Sequence, residues 1–412
     1  MTLSVETPIP FEDPNFYVND PWPVYKELQE NDPIHYYEPL DVFIITRLDD
    51  LREGAKRNDV FSSGHGMFLN DLRMMKTAAT TESVFDGLFP ADAEHFAFAD
   101  PPERHKTLRG LISPAFAIRN INAMRPTIEG FVRELFDKIE PGKPIDFVAE
   151  FADLLPIMIA TRLLGIHGRT VEEVKRWSDA LEAMNSVETP EQIAEAKATF
   201  ATMNGTFAEE IERSRRDPSP GLVTDMVDAT LDGKPVSDSN IIAYCTTVLA
   251  AGSDTTRALM TGMLLAFAQF PEQYTRLRED RSLIGSAIEE SLRWVSPARS
   301  FLRTALEDTE LGGQKIKKGQ RIFLLFAAGN VDGSAFDDPY TFDVGRTNAL
   351  QHVAFGYGPR SCIAAQLVRA TMRIFLTELL DRFSAIESVS EPTPVVHVLR
   401  NSWYDAELVF TK

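Results

Sequence analysis

The sequence predicts a mainly α-helical protein with a smaller β part. Three observations carry this. Between about Pro102 and Phe270, apolar residues recur at the 3.6-residue spacing of helices packed on a core. Strand-like runs are short and scattered, at Val42-Phe-Ile-Ile-Thr46, Phe301–Thr304 and Arg321–Phe326. The composition, 44% apolar and 25% charged, is ordinary for a globular chain and excludes collagen-like, mucin-like and wholly disordered ones. No internal repeat or long linker divides the 412 residues, and turn clusters such as Asp217-Pro-Ser-Pro-Gly221 and Leu231-Asp-Gly-Lys-Pro235 are dispersed. One large domain over 1–412 is therefore expected.

In chain order, a helix near Trp22 to Asn31 precedes the Val42 strand. Residues 62–99 read as a long irregular region carrying Met67, Phe68, Leu69, Phe85, Leu88 and Phe89. Such a stretch inside a compact domain is usually functional or disordered. Apolar content predicts a long buried helix over 241–262, about 238–270 with its ends. Another helix follows Cys362 to about Phe383, and Val395 to Phe410 alternates like short strands.

The charge excludes some partners. Forty-two Lys and Arg against 61 Asp and Glu give −19, which repels phosphate backbones, so no nucleic acid is expected. The 2 cysteines, Cys245 and Cys362, form no CxxC metal pair and no disulfide framework, which fits a reducing cytoplasm. The first residues lack the basic start and apolar run of a signal peptide. No stretch approaches the roughly 18 apolar residues that span a bilayer. A soluble cytoplasmic protein without a membrane anchor is expected.

Chemistry concentrates in His352-Val-Ala-Phe355-Gly-Tyr-Gly358-Pro-Arg360-Ser-Cys362-Ile-Ala364, a Gly-rich loop feeding a helix. A thiolate there would receive backbone N–H groups and the positive end of the helix dipole, both of which lower its pKa. It suits a nucleophile or a metal ligand, although a lone cysteine is more often a small buried hydrophobe. Within the long helix, Ala251-Gly-Ser-Asp254-Thr255-Thr256 breaks an apolar pattern. Gly costs roughly 1 kcal/mol against Ala there, and hydroxyls compete for backbone carbonyls. Such violations often mark function, though a solvated polar face would look the same. Thr247, Ala251 and Thr255, spaced by four, share one stripe. Glu290 and Arg293 lie at i and i+3 on one helical face, as do His105 and Arg109 at i and i+4; either pair alone is a weak signal.

Phe355, Gly358, Arg360 and Cys362 at the spacing F-x-x-G-x-R-x-C resemble the haem-ligand loop of the cytochrome P450 family. The helix segment around Asp254-Thr255, Glu290-x-x-Arg293 with Arg346, and His105-x-x-x-Arg109 match the same family in the same order. The resemblance implies a P450-like single-domain fold, with haem b as cofactor and the Cys362 thiolate on its iron. The loop 355–364, with Phe355, Gly356, Arg360 and Ala364, would contact the haem. Ala364 departs from the usual glycine, so a slight shift of the following helix is expected. Ala251 would lie over the iron where the helix bulges, and Asp254 and Thr255 would deliver protons for O–O cleavage. His105, Arg109, Arg303 and Arg360 would pair with the propionates. Glu290, Arg293 and Arg346 would form a structural network.

The resemblance further implies a monooxygenase that puts one atom of O2 into a lipophilic small molecule, by hydroxylation or epoxidation. Met67, Phe68, Phe85, Thr247, Ala251, Phe301 and Trp403 would line the pocket. Arg299 would meet a substrate carboxylate or point outward. A separate ferredoxin-type donor is expected, docking on Arg104, Lys106, Arg119, Arg369 and Arg373, on a monomer. The alternatives are a peroxide-driven peroxygenase or isomerase, and a haem-bearing sensor without turnover.

Overall fold

The structure, a computed structural model, describes residues 9–69, 88–183 and 189–412. Its axis is the helix Asp238–Gln269, 32 residues long. Ser237 caps it by accepting the Asn240 N–H, and Pro271 opens the next helix just past its end. Apolar residues occur all round it, so it is buried on nearly every side, as such a helix must be. Helices Leu154–Leu164, Pro190–Arg216 and Ile284–Val295 pack against it. The C-terminal helix Ala365–Arg382 packs on Ile118–Phe136. Trp22–Asn31 is helical as expected.

The main sheet has five strands in the order Ile34–Tyr37, Val42–Ile45, Arg321–Leu324, Phe301–Ala305, Phe61–Ser62. Arg321–Leu324 runs parallel to Val42–Ile45 and antiparallel to Phe301–Ala305, with Phe323 opposite both Ile44 and Leu302. Those three residues enter one apolar cluster, while Phe43, Ile45, Ile322 and Leu324 enter another on the opposite face. Both faces are buried, which is why Val42-Phe-Ile-Ile reads as an unbroken apolar run instead of alternating.

The tail corrects one expectation. Of Val395–Phe410, only its end lies in a strand, Glu407–Thr411; the remainder makes isolated bridges, Pro394 to Trp403 and Arg400 to Ala298. The segment instead wraps Arg299, whose guanidinium donates to the carbonyls of His397 and Arg400. Among the described residues, no helix is long and apolar enough to cross a membrane.

Candidate active site

The Cys362 loop is shaped by its glycines. Gly356 and Gly358 both have positive φ, +68° and +71°, where a side chain is strained. At Gly358 a Cβ would also sit 3.0 Å from the Lys56 backbone. These turns let the Cys362 N–H donate to the Phe355 carbonyl at 2.8 Å. Arg369 stacks over the Phe355 ring at 4.8 Å and pairs with Glu289 at 2.7 Å. Ala364 has φ −87°, a conformation alanine adopts freely, so the departure from glycine introduces no backbone strain.

The Cys362 side chain is exposed, yet burial dominates the setting of its thiol, so the space it faces is internal. Desolvation also acts on its thiol. Burial pushes it above the ordinary range, and the N–H groups of Ala364 and Ala365 with the guanidinium groups of Arg109 and Arg369 only partly oppose this. The helix terminus acts in the expected direction, but desolvation outweighs it.

The loop and the long helix share a neighbour. Pro102–Ile112 joins the two: Tyr244 donates its hydroxyl proton to the Leu108 carbonyl at 3.0 Å, and Arg109 donates to the Ser361 carbonyl at 2.7 Å. On the long helix, Ala243 to Thr246 are buried, but Thr247, Ala251 and Thr255 regain exposure in the middle of the core. That stripe opens on a void. The Thr255 hydroxyl donates back to the Ala251 carbonyl at 2.8 Å, and Ser253 to Leu249 at 2.8 Å. Helical assignment runs unbroken through this segment, so the bulge that the resemblance implies does not interrupt it.

Asp254 and Thr255 adjoin in sequence but diverge in space. Asp254 is buried and ion-paired with Arg257 at 2.6 Å, with Arg400 at 3.8 Å. Arg257 also meets Glu182 at 3.0 Å and Asp153 at 3.1 Å. Asp254 therefore sits in a charge cluster beside the open stripe instead of on it. Glu182, Arg257 and Arg400 were not legible as members: they come from a preceding helix, the next turn and the tail.

Three arginines and a histidine converge with one carboxylate. Arg360 donates to the carbonyls of Ala97 and Ala99 at 3.1 and 2.7 Å and pairs with Asp100 at 3.0 Å. Arg303 is buried, and its one described hydrogen bond goes to the adjacent Leu302 carbonyl at 2.7 Å. Burial, then Arg360, pulls its pKa down to about 10. His105 is buried with Nε2 unpartnered, and burial, then Arg360 and Arg109, lowers it to about 4. Cations crowded in a dry site require anions, so the donor set fits a group with two carboxylates, as haem has. Asp100 and two carbonyls occupy three of the five N–H groups of Arg360, and its buried Nε is left without a partner.

Glu290, Arg293 and Arg346 form one buried network. Arg293 pairs with Glu290 at 2.7 Å, Arg346 with Glu290 at 3.0 Å, and Arg293 has no exposed surface. Arg293 also donates to the Asn330 carbonyl at 2.9 Å, and the Asn330 side chain accepts the Val353 N–H at 2.7 Å. The Val353 carbonyl accepts from Gly356 at 2.8 Å. The network thus reaches the Cys362 loop through three hydrogen bonds.

The expected pocket residues divide. Met67 and Phe68 lie along Phe301: the Met67 carbonyl accepts from Leu302 at 2.7 Å, and the rings of Phe68 and Phe301 are 6.0 Å apart. Phe85 lies outside the described residues. Trp403 packs on Gly262, where a Cβ would meet its ring at 3.0 Å, so it supports the helix beyond the open stripe. Arg299 meets neither a substrate position nor solvent. It is buried, donates to the Tyr17, His397 and Arg400 carbonyls and to the Asn401 side chain, and stacks on Tyr17. The docking set also changes. Arg104 is held by Glu94 and Asp232 at 2.5 and 2.8 Å and Arg369 by Glu289, leaving Lys106, Arg119 and Arg373 exposed.

A cysteine and a cationic cradle bordering one interior, beneath a helix with an acid and an alcohol, define the class: an oxidoreductase built for a sulfur-held iron porphyrin. The Cytochrome P450 family profile matches residues 67–400. Cytochrome P450 107B1 of Saccharopolyspora erythraea is 31% identical over 86% of this chain and 84% of its own length. Linalool 8-monooxygenase of Pseudomonas putida is 30% identical over 92% and 93%. A solved cytochrome P450 of Mycobacterium marinum (CYP268A2), in complex with pseudoionone, is 28% identical with a TM-score of 0.84, covering 96% and 97%. The chain belongs to the cytochrome P450 family and is a haem-thiolate monooxygenase.

Proposed function

We propose that this monooxygenase hydroxylates or epoxidises a lipophilic small molecule, using electrons from a separate ferredoxin-type donor. For a C–H bond the balance is R–H + O2 + 2 H⁺ + 2 e⁻ → R–OH + H2O. The observation that carries this is the accessible stripe Thr247, Ala251, Thr255 on an otherwise buried helix that Pro102–Ile112 ties to the Cys362 loop. Haem, when bound, supplies the iron at which O2 is activated. Cys362 would hold it by sulfur, with Phe355, Gly356 and Ala364 beside it. Arg109 and Arg303, with the two remaining N–H groups of Arg360, would neutralise its propionates, and His105 would offer one of them a hydrogen bond. Ala251 leaves space on the opposite side.

Thr255 holds a proton on Oγ1, directed to the Ala251 carbonyl at 2.8 Å. Rotation of χ1 would redirect it into the void. Asp254 would relay to it a proton taken from solvent, after exchanging Arg257 for a water-linked contact; its cluster reaches partly exposed Glu182. Met67, Phe68 and Phe301 give the pocket an apolar wall. Linalool and pseudoionone, named with two relatives, are lipophilic in the same sense.

Exposed Lys106, Arg119 and Arg373, with the exposed apolar side chains of Ile118, Leu350 and Tyr357, suit an acidic partner on an otherwise acidic surface. The protein is read as a cytoplasmic monomer with one domain over 1–412. The purified, reduced holoprotein under carbon monoxide is expected to absorb at about 450 nm, and with ferredoxin, reductase and NAD(P)H to yield one product per O2 consumed. A band at about 420 nm from folded protein, or no bound pigment, overturns the haem-thiolate assignment. Equal turnover with hydrogen peroxide alone would replace the ferredoxin reading with the peroxygenase one.

A further inference from the structure

His95 lies in the irregular region and touches the long helix. Its imidazole is walled by Phe89, Phe96, Phe98 and Tyr244, with ring centroids 4.9 to 5.8 Å away. Its Nδ1 accepts the Ala97 N–H at 3.1 Å, so in the neutral ring the proton is on Nε2. Nε2 meets the Thr247 hydroxyl oxygen. That hydroxyl directs its own proton to the Ala243 carbonyl at 2.8 Å. Burial lowers His95 to about 4, which keeps the ring neutral at working pH.

These bonds fix the polarity of Thr247. A hydroxyl has one proton and two lone pairs. The proton goes to Ala243 and one lone pair takes the His95 N–H. The remaining lone pair belongs to an oxygen on the open stripe. The geometry points to a binding site for a hydroxyl group of the substrate: Thr247, oriented by His95, accepts a hydrogen bond from an alcohol and so selects hydroxylated lipophiles over ethers, ketones and hydrocarbons. At a rise of 1.5 Å per residue, Ala251 and Thr255 lie about 6 and 12 Å further along the helix. An alcohol anchored at Thr247 would therefore present carbons several bonds from its own oxygen. Thr247 is a substrate-binding residue here and His95 a positioning one. The inference rests on the haem-thiolate reading and names the substrate class within it.

The test uses holoprotein with octan-1-ol, decan-1-ol and dodecan-1-ol, each beside its methyl ether and its alkane. Dissociation constants come from isothermal titration calorimetry, and the reduced carbon monoxide band is recorded on the same samples. The alcohols are expected to bind about tenfold more tightly than their ethers and alkanes, the range of one neutral hydrogen bond. Thr247→Val should erase the preference, Thr247→Ser should keep it, and His95→Phe should reduce it several-fold. Ethers or alkanes binding as tightly as the alcohols, an intact preference in Thr247→Val, or no binding across the series overturns the inference. A band at about 450 nm in those samples confines the failure to this site; one at about 420 nm places it in the haem-thiolate reading.

Discussion

The sulfur side and the open side of the interior are built by different means. On the sulfur side, the loop is fixed by its backbone: two positive-φ glycines, the bond from Cys362 to Phe355, and a buried network relayed from Arg293 through Asn330 to Val353. On the open side, contacts join segments remote in sequence, such as His95 with Thr247 and Arg400 with Asp254. The first arrangement leaves little that can vary without losing the fold. The second can change one partner at a time, which suits a face that selects substrates.

The largest effect should come from breaking the sulfur side's support. Arg293→Ala leaves Glu290 buried with Arg346 as its one ionic partner among the described residues and orphans the Asn330 and Pro339 carbonyls, while Thr341 keeps its bond from Arg346. Removing one partner of a buried pair costs about 3–5 kcal/mol, a large share of a typical domain's stability. Chemical denaturation should show that loss, with haem retention falling in parallel. Unchanged stability would mean that the network does not support the loop.

A smaller effect is expected on the open side, and it tests whether Asp254 and Thr255 act separately. Thr255→Ala removes the hydroxyl at the stripe but leaves the charge cluster intact. Asp254→Asn leaves Arg257 facing Glu182 and Asp153 without its third carboxylate. Asp254→Asn should slow turnover by about 10²-fold, the low end for a lost proton donor, with a larger solvent isotope effect. Thr255→Ala should release more of the consumed O2 as hydrogen peroxide. Identical behaviour of the two would show one function where the structure separates two environments.

The contrast explains what was legible in the sequence. The long helix, the Val42 strand and the residues around Cys362 could be read because each depends on its near neighbours. Ala364 could be judged harmless only with its φ in hand. Arg299 was misread because an arginine among apolar residues carries no sign of direction; three carbonyls and the Tyr17 ring supply its environment. His95 gave only a weak sign, the aromatic run His95-Phe-Ala-Phe98 inside an otherwise irregular region. Its partner is on another element, and no local pattern connects them.

Arg104 gives the smallest and most selective test of the same contrast. Sequence alone places it with Lys106 on a docking face, since both are basic and two residues apart. On a helix that spacing turns side chains about 200° from each other. Lys106 is exposed, whereas Arg104 grips Glu94 through two nitrogens at 2.7 and 2.5 Å and Asp232 through a third at 2.8 Å. An arginine so paired offers little net field to an incoming acidic partner. Arg104→Gln should therefore leave reduction by ferredoxin within about twofold of the parent rate and, as for exposed ion pairs, change stability by about 1 kcal/mol or less. Lys106→Glu should slow reduction several-fold at low ionic strength, and salt should erase the difference, because screening removes a steering charge. Stopped-flow reduction across a salt series separates the two. Equal slowing by both variants would return Arg104 to the docking face and make its pairs with Glu94 and Asp232 incidental.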